Sequence, residues 1–165
     1  MQIDIEITDD RWVDLGLEDI TETAAHAVLE RLGIDAEECE LSVLGCDDAR
    51  IRELNADFRE KDKATNVLSW PVDERGAEDD GDMPEEPEAD VFGTIELGDI
   101  AISYETCERE ATDAGKPLRD HAMHLMIHGV LHLLGFDHIR DGDAALMEGI
   151  ETEILGKMGM ADPYS

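Results

Sequence analysis

Three of the chain's six histidines fall within one short segment, His128-Gly-Val-Leu-His132-Leu-Leu-Gly-Phe-Asp-His138. Their spacing is His-x-x-x-His-x-x-Gly-x-x-His. On a helix, residues four apart share a face, with a rise of roughly 6 Å between them. Two imidazoles so placed can converge on one ion at about 2.0–2.1 Å each. Gly135, three residues on, can take a left-handed conformation, end the helix and turn the chain back. His138 can then approach as a third ligand. Three protein ligands leave one tetrahedral position open, which is the arrangement of a catalytic rather than a structural zinc. The chemistry expected is metal-assisted hydrolysis. An ordinary structural role for three histidines at these spacings, with a glycine hinge between them, is the weaker reading.

The spacing also matches that of the metzincin peptidases, with one difference. Those enzymes carry a glutamate after the first histidine as general base, and here that residue is Gly129. A peptidase mechanism of that kind lacks its base, although the metal site survives. His121 and His124 continue the stripe by further turns and suit supporting, substrate-facing or packing roles; His124 is the candidate substrate contact. No Gly-x-Ser-x-Gly elbow and no glycine-rich phosphate loop is present.

These histidines need a scaffold, and the apolar periodicity supplies one. Ile3, Ile5 and Ile7 alternate with acids, as in a half-buried strand. Residues 17–32 carry a helical apolar stripe closed by Gly33. Residues 40–44 alternate again. Asp47 or Asp48 can cap a short helix with Ile51, Leu54 and Phe58 on its buried side. Residues 66–70 read as a third strand stopped by Pro71, and 94–102 as a fourth with a phase change at Gly98-Asp99. Ser103 can cap the helix that follows. Pro117 suits the first turn of the histidine helix, and Asp141 can cap a last helix with Leu146, Ile150, Ile154 and Met158 on one face. The class is α+β: one domain over residues 1–165, with a mixed sheet of about four strands and about five helices.

The net charge of −30 over 165 residues argues against bulk electrostatic capture of nucleic acid. The charge is uneven, however. Arg50, Arg52, Arg59, Lys61 and Lys63 make residues 50–63 slightly positive. Residues 73–90 hold ten acids and one basic residue, Arg75. So little apolar surface predicts a mobile surface loop outside the active site. Three distant cysteines, Cys39, Cys46 and Cys107, make a disulfide framework unlikely and fit a reducing cytosol. No signal peptide or membrane span is expected.

Two segments together resemble the YbeY family, the bacterial rRNA-maturation endoribonucleases. The first is the histidine motif. The second is Leu54-Asn-Ala-Asp-Phe58-Arg59-Glu-Lys61-Asp62-Lys-Ala64-Thr65-Asn66-Val67-Leu68-Ser69-Trp-Pro71, similar to that family's Leu-Asn-x-x-(Phe/Tyr)-Arg-x-x-Asp-x-x-Thr-(Asn/Asp)-Val-Leu-Ser-Phe-Pro block. Gly98-Asp99-Ile100 and the final Asp-Pro-Tyr also fit. Trp70 replaces the usual Phe, and the acidic stretch is longer and more charged than the family pattern.

The resemblance implies a single-domain α+β fold and one zinc on His128, His132 and His138. It implies endonucleolytic cleavage of single-stranded RNA in the cytoplasm, in maturation of rRNA at the 3′ end of 16S rRNA, and in ribosome quality control. It implies the ribosome or its proteins as partners, and it marks Arg59 as a functional residue near the metal. Arg59 could grip phosphate oxygens with two N–H groups at once, or it could pair with Glu60 or Asp62. Lys61 and Lys63 are candidates for following the RNA backbone. Two other readings remain open at this point: a zinc peptidase with an unusual base, and a non-catalytic ribosome-biogenesis protein with a structural metal.

Overall fold

In the computed structural model, which describes residues 1–164, the chain runs β1 (Gln2–Ile7), α1 (Arg11–Leu15), α2 (Leu17–Leu32), a short 3-10 turn (Ala36–Glu38), β2 (Cys39–Cys46), α3 (Asp48–Arg59), β3 (Val67–Pro71), β4 (Ile95–Ser103), α4 (Tyr104–Ala114), α5 (Leu118–Leu133) and α6 (Asp141–Lys157). The four strands lie in the order β1-β2-β4-β3. The first three are parallel, and β3 joins the edge antiparallel to β4. The α+β class and the mixed four-stranded sheet hold. There are six helices rather than five because Arg11–Leu15 forms its own turn, closed by a left-handed Gly16.

The main core lies between the sheet and the helices α2, α5 and α6. Leu41, Val43, Ile100 and Ile102 from the strands meet Leu17, Ile20, Met126, Ile127, Leu131 and Ile154. Period-two alternation sends Leu68 and Ala101 to the opposite face, where Ile51 and Cys46 cover them. The phase change in β4 is a bulge: Glu40 pairs with Glu96, but Leu41 pairs with Gly98. That bulge lets Leu97 remain fully buried. Cys39, Cys46 and Cys107 are buried and unbridged. Among the described residues, no helix is long and apolar enough to cross a membrane.

Three local expectations need correction. Phe58 is 65% exposed rather than buried. The last turn of α3 lies beside the edge strand, where no further strand covers it, and Phe58 meets Trp70 edge to face at 5.8 Å. The buried polar residue of that helix is Asn55. Ser103 does not cap α4 with its side chain. Its hydroxyl donates to Asp48 Oδ1 at 2.6 Å, and that same oxygen accepts from the Thr106 backbone N–H at 3.2 Å. The third concerns α6, whose N-cap position is Arg140 rather than Asp141. The side chain that accepts from its first turn is Asp80, which receives the Asp143 N–H at 2.8 Å.

Candidate metal centre

α5 is largely buried, and His124, His128 and His132 lie on a strip of its surface left partly open. His128 and His132 sit one turn apart, with their Nε2 atoms 3.0 Å from one another. The helix ends at Leu133, and Gly135 turns the chain at φ +99°. His138 folds back, so that its ring centroid lies 5.0 Å from each of the other two. One ring nitrogen from each histidine lies within 4.8 Å of the others. The three residues singled out from spacing are therefore brought together.

The electrostatics suit a cation. Burial pulls the His132 imidazole down to about 4, and its neighbours His128 and His138 push the same way, so the ring is neutral at pH 7. His128 Nδ1 lies 2.6 Å from Glu151 Oε1. A proton on Nδ1 leaves the lone pair of Nε2 facing the other rings. Three imidazoles whose ring nitrogens converge in this way form a ligand set for an ion. The donor set therefore fits a metal.

Gly135 is required by conformation and by space. A Cβ there would lie 2.7 Å from the backbone carbonyl of Arg75. Gly135→Val should cost about 1–3 kcal/mol for the positive φ alone. The overlap with Arg75 should also displace His138 and weaken metal binding. Thermal unfolding and metal titration of the variant check this; unchanged metal affinity would mean that the turn does not set His138.

Arg75 is the lone base of the acidic segment, and it is 5% exposed. It donates to the Leu133 carbonyl at 2.8 Å, one of the orphan carbonyls at the end of α5. Further along, Arg140 donates to the carbonyls of Ala77 and Glu78 at 2.8 and 2.7 Å. Asp143 accepts the Gly81 N–H at 2.9 Å. The segment is a surface loop, as its composition suggests, but it does not lie outside the site. Asp73, Glu74 and Asp82 line the same cleft as the histidines. Polar bonds to α5 and α6 dock it without the apolar burial that the sequence lacks.

Arg59, Lys61 and Lys63 line the same cleft. Arg59 pairs with neither Glu60 nor Asp62; Asp62 is held by Arg52 at 2.7 Å. Instead Arg59 donates one N–H to the Ser69 carbonyl at 2.7 Å. The loop bearing the lysines is fixed by buried Asn55, whose Nδ2 donates to Lys63 O at 2.9 Å and whose carbonyl accepts the Lys61 N–H at 3.1 Å. Glu60 turns the chain there at φ 57°, the left-handed conformation. His124 is not on the cleft wall. It packs behind His128, with Nε2 3.2 Å from Tyr164 Oη, while His121 pairs with Glu110 at 3.0 Å.

Glu151 was not among the candidate residues. It is fully buried in α6 and contacts both His128 and His124. The signal available was its place between Met147 and Leu155 on an otherwise apolar row of i+4 positions.

Comparison with known proteins agrees with this architecture. A protein of Thermotoga maritima, solved in solution as TM1509, superposes with a TM-score of 0.56 at 22% identity, over 99% of both chains, and so shares the fold. A protein of Ruegeria pomeroyi named Endoribonuclease YbeY is 55% identical over 165 residues, covering 100% of this chain and 99% of its own. One of Paracoccus denitrificans with the same name is 56% identical over 162 residues, covering 98% and 89%. The family model described as Endoribonuclease YbeY matches residues 2–159. With the histidine turn and the Arg59 block in one cleft, and this match over nearly the whole length, the chain belongs to the YbeY endoribonuclease family.

Proposed function

We propose that this chain is a zinc-dependent endoribonuclease that cuts within single-stranded RNA. Its work is the maturation of rRNA, notably the 3′ end of 16S rRNA, and ribosome quality control in the cytoplasm. Membership of the family supports the class of reaction. The observation that carries the reading is the convergence of three imidazoles at the floor of a cleft whose one wall is basic.

Three nitrogen ligands with no thiolate are a donor set suited to hydrolytic zinc. A zinc ion held there would polarise a phosphoryl oxygen and lower the pKa of a water. The chain's own residues do the rest. Arg59 keeps N–H groups beyond the one given to Ser69, and these face the cleft to bind non-bridging phosphate oxygens. Lys61 and Lys63, on a loop held by Asn55, follow the backbone on either side. Asp73, Glu74 and Asp82 repel phosphate from the far wall and confine the strand to the basic one. With a net charge of −30, capture is local to this rim, and partners on the ribosome would deliver the RNA.

A peptidase reading is disfavoured by Gly129, the position where a metzincin places its base. Gly129 is buried, and a Cβ there would already lie 3.1 Å from Ile100 Cδ1. A glutamate there would crowd Ile100, which would have to shift to admit even its Cβ. Incubating the metal-loaded chain with single-stranded RNA and with casein, with and without chelator, tests the proposal. RNA alone should be cut, the chelator should stop it, and added Zn2+ should restore it. Casein cleavage, or RNA cleavage indifferent to chelator, would overturn it.

A further inference from the structure

Glu151 is a carboxylate with no solvent exposure in a chain that carries an excess of acids. Burying an ionised carboxylate costs several kcal/mol unless positive charge compensates. Among the described residues its ion-pairing partners are two imidazoles and no lysine or arginine: His128 Nδ1 at 2.6 Å and His124 Nε2 at 3.6 Å. Its other oxygen accepts from the Tyr164 hydroxyl. It cannot itself be a ligand of the triad, because it approaches His128 from the ring edge opposite Nε2. A cation held where the three ring nitrogens meet would lie on the far side of that ring and supply compensating charge.

We propose that Glu151 is a positioning residue of the metal centre, holding His128 in the tautomer and orientation that present Nε2 to the ion, with Tyr164 and His124 fixing the carboxylate in turn. The inference rests on the metal reading above and deepens it. The carboxylate does three things at once. It accepts a hydrogen bond from Nδ1–H, so that Nε2 keeps its lone pair. It stops rotation of the ring about its side-chain bonds. It also makes the imidazole a stronger donor by placing negative charge behind it. His128 and His124 hold one oxygen of the carboxylate, and the Tyr164 hydroxyl donates to the other. Tyr164 comes from the segment after α6 and reaches back to α5 through His124, at 3.2 Å. A residue far along the chain thereby helps to set the angle of a ligand.

The test uses the full chain with Zn2+ and Co2+ as probes. Zn2+ affinity is measured by competition with a chromophoric chelator, Co2+ geometry by visible absorption, and folding by thermal unfolding of the metal-free protein. Glu151→Gln keeps the shape and removes the charge. It should weaken Zn2+ binding by about 10–100-fold and shift the Co2+ bands, with the metal-free midpoint not lowered. Tyr164→Phe removes the hydroxyl that meets the far oxygen and His124, and should weaken Zn2+ binding several-fold. Wild-type affinity and spectrum in both variants would overturn the inference, as would a loss of affinity that only tracks a lowered midpoint. A wild-type chain that binds neither ion would instead overturn the metal reading itself, and this inference with it.

Discussion

His132→Ala is expected to strip the metal and abolish RNA cleavage together, while the chain remains folded. His132 is the middle residue of the triad, with its Nε2 3.0 Å from that of His128 and its ring centroid 5.0 Å from that of His138. Its removal leaves two imidazoles, which cannot hold a divalent ion against water and buffer at ordinary concentrations. The lost ion would have contributed several kcal/mol of transition-state stabilisation, which is about 10³-fold in rate or more. Folding should survive, because His132 lies at the open edge of α5 and alanine is the best helix former. Elemental analysis of protein prepared without chelator, beside an RNA cleavage assay and circular dichroism, checks all three. A variant that keeps full metal content would show that the ion sits elsewhere.

The second large effect is expected at Arg59. Arg59→Lys and Arg59→Glu should both keep the metal and the fold, and both should lose roughly 10²-fold or more in cleavage. Phosphodiester cleavage builds negative charge on the non-bridging oxygens. A planar fork with spare N–H groups meets that charge in a way that one ammonium cannot copy. The structure sharpens the argument, because the guanidinium is tethered to the Ser69 carbonyl and to no carboxylate. It is thus aimed without being neutralised. Loss of metal from Arg59→Lys would make the residue a structural one. Full cleavage by Arg59→Glu would remove it from the mechanism.

What the sequence disclosed follows the range of the interactions involved. The triad was legible because all of it lies within eleven residues, and helix periodicity with one glycine settles the geometry. Glu151 was hidden because it comes from another helix, and one more acid in so acidic a chain carries little signal. Phe58 was misplaced because apolar spacing reveals which face a side chain takes, not whether the sheet extends beneath it. The acidic segment shows the same limit from the other side. Composition correctly denied it helix or strand, but could not foresee that Arg75, Asp80 and Arg140 would dock it through polar bonds. His124 was drawn toward the substrate by its nearness in sequence, whereas the structure gives it to Glu151 and Tyr164.

The place of β3 at the rim of the sheet has a consequence for solution behaviour. An open strand edge is a template on which another chain can add, and proteins guard such edges by shortness, proline and charge. β3 has all three: five residues, Pro71 at its end, and the Arg59 guanidinium seated on its outward Ser69 carbonyl. Arg59 would thus also act against self-association. Arg59→Glu would leave that carbonyl bare beside the exposed ring of Phe58, so the variant should be handled dilute, with light scattering beside every activity measurement. In a cell crowded with nascent chains, the guanidinium proposed to bind phosphate would at the same time keep the chain from pairing with its own copies.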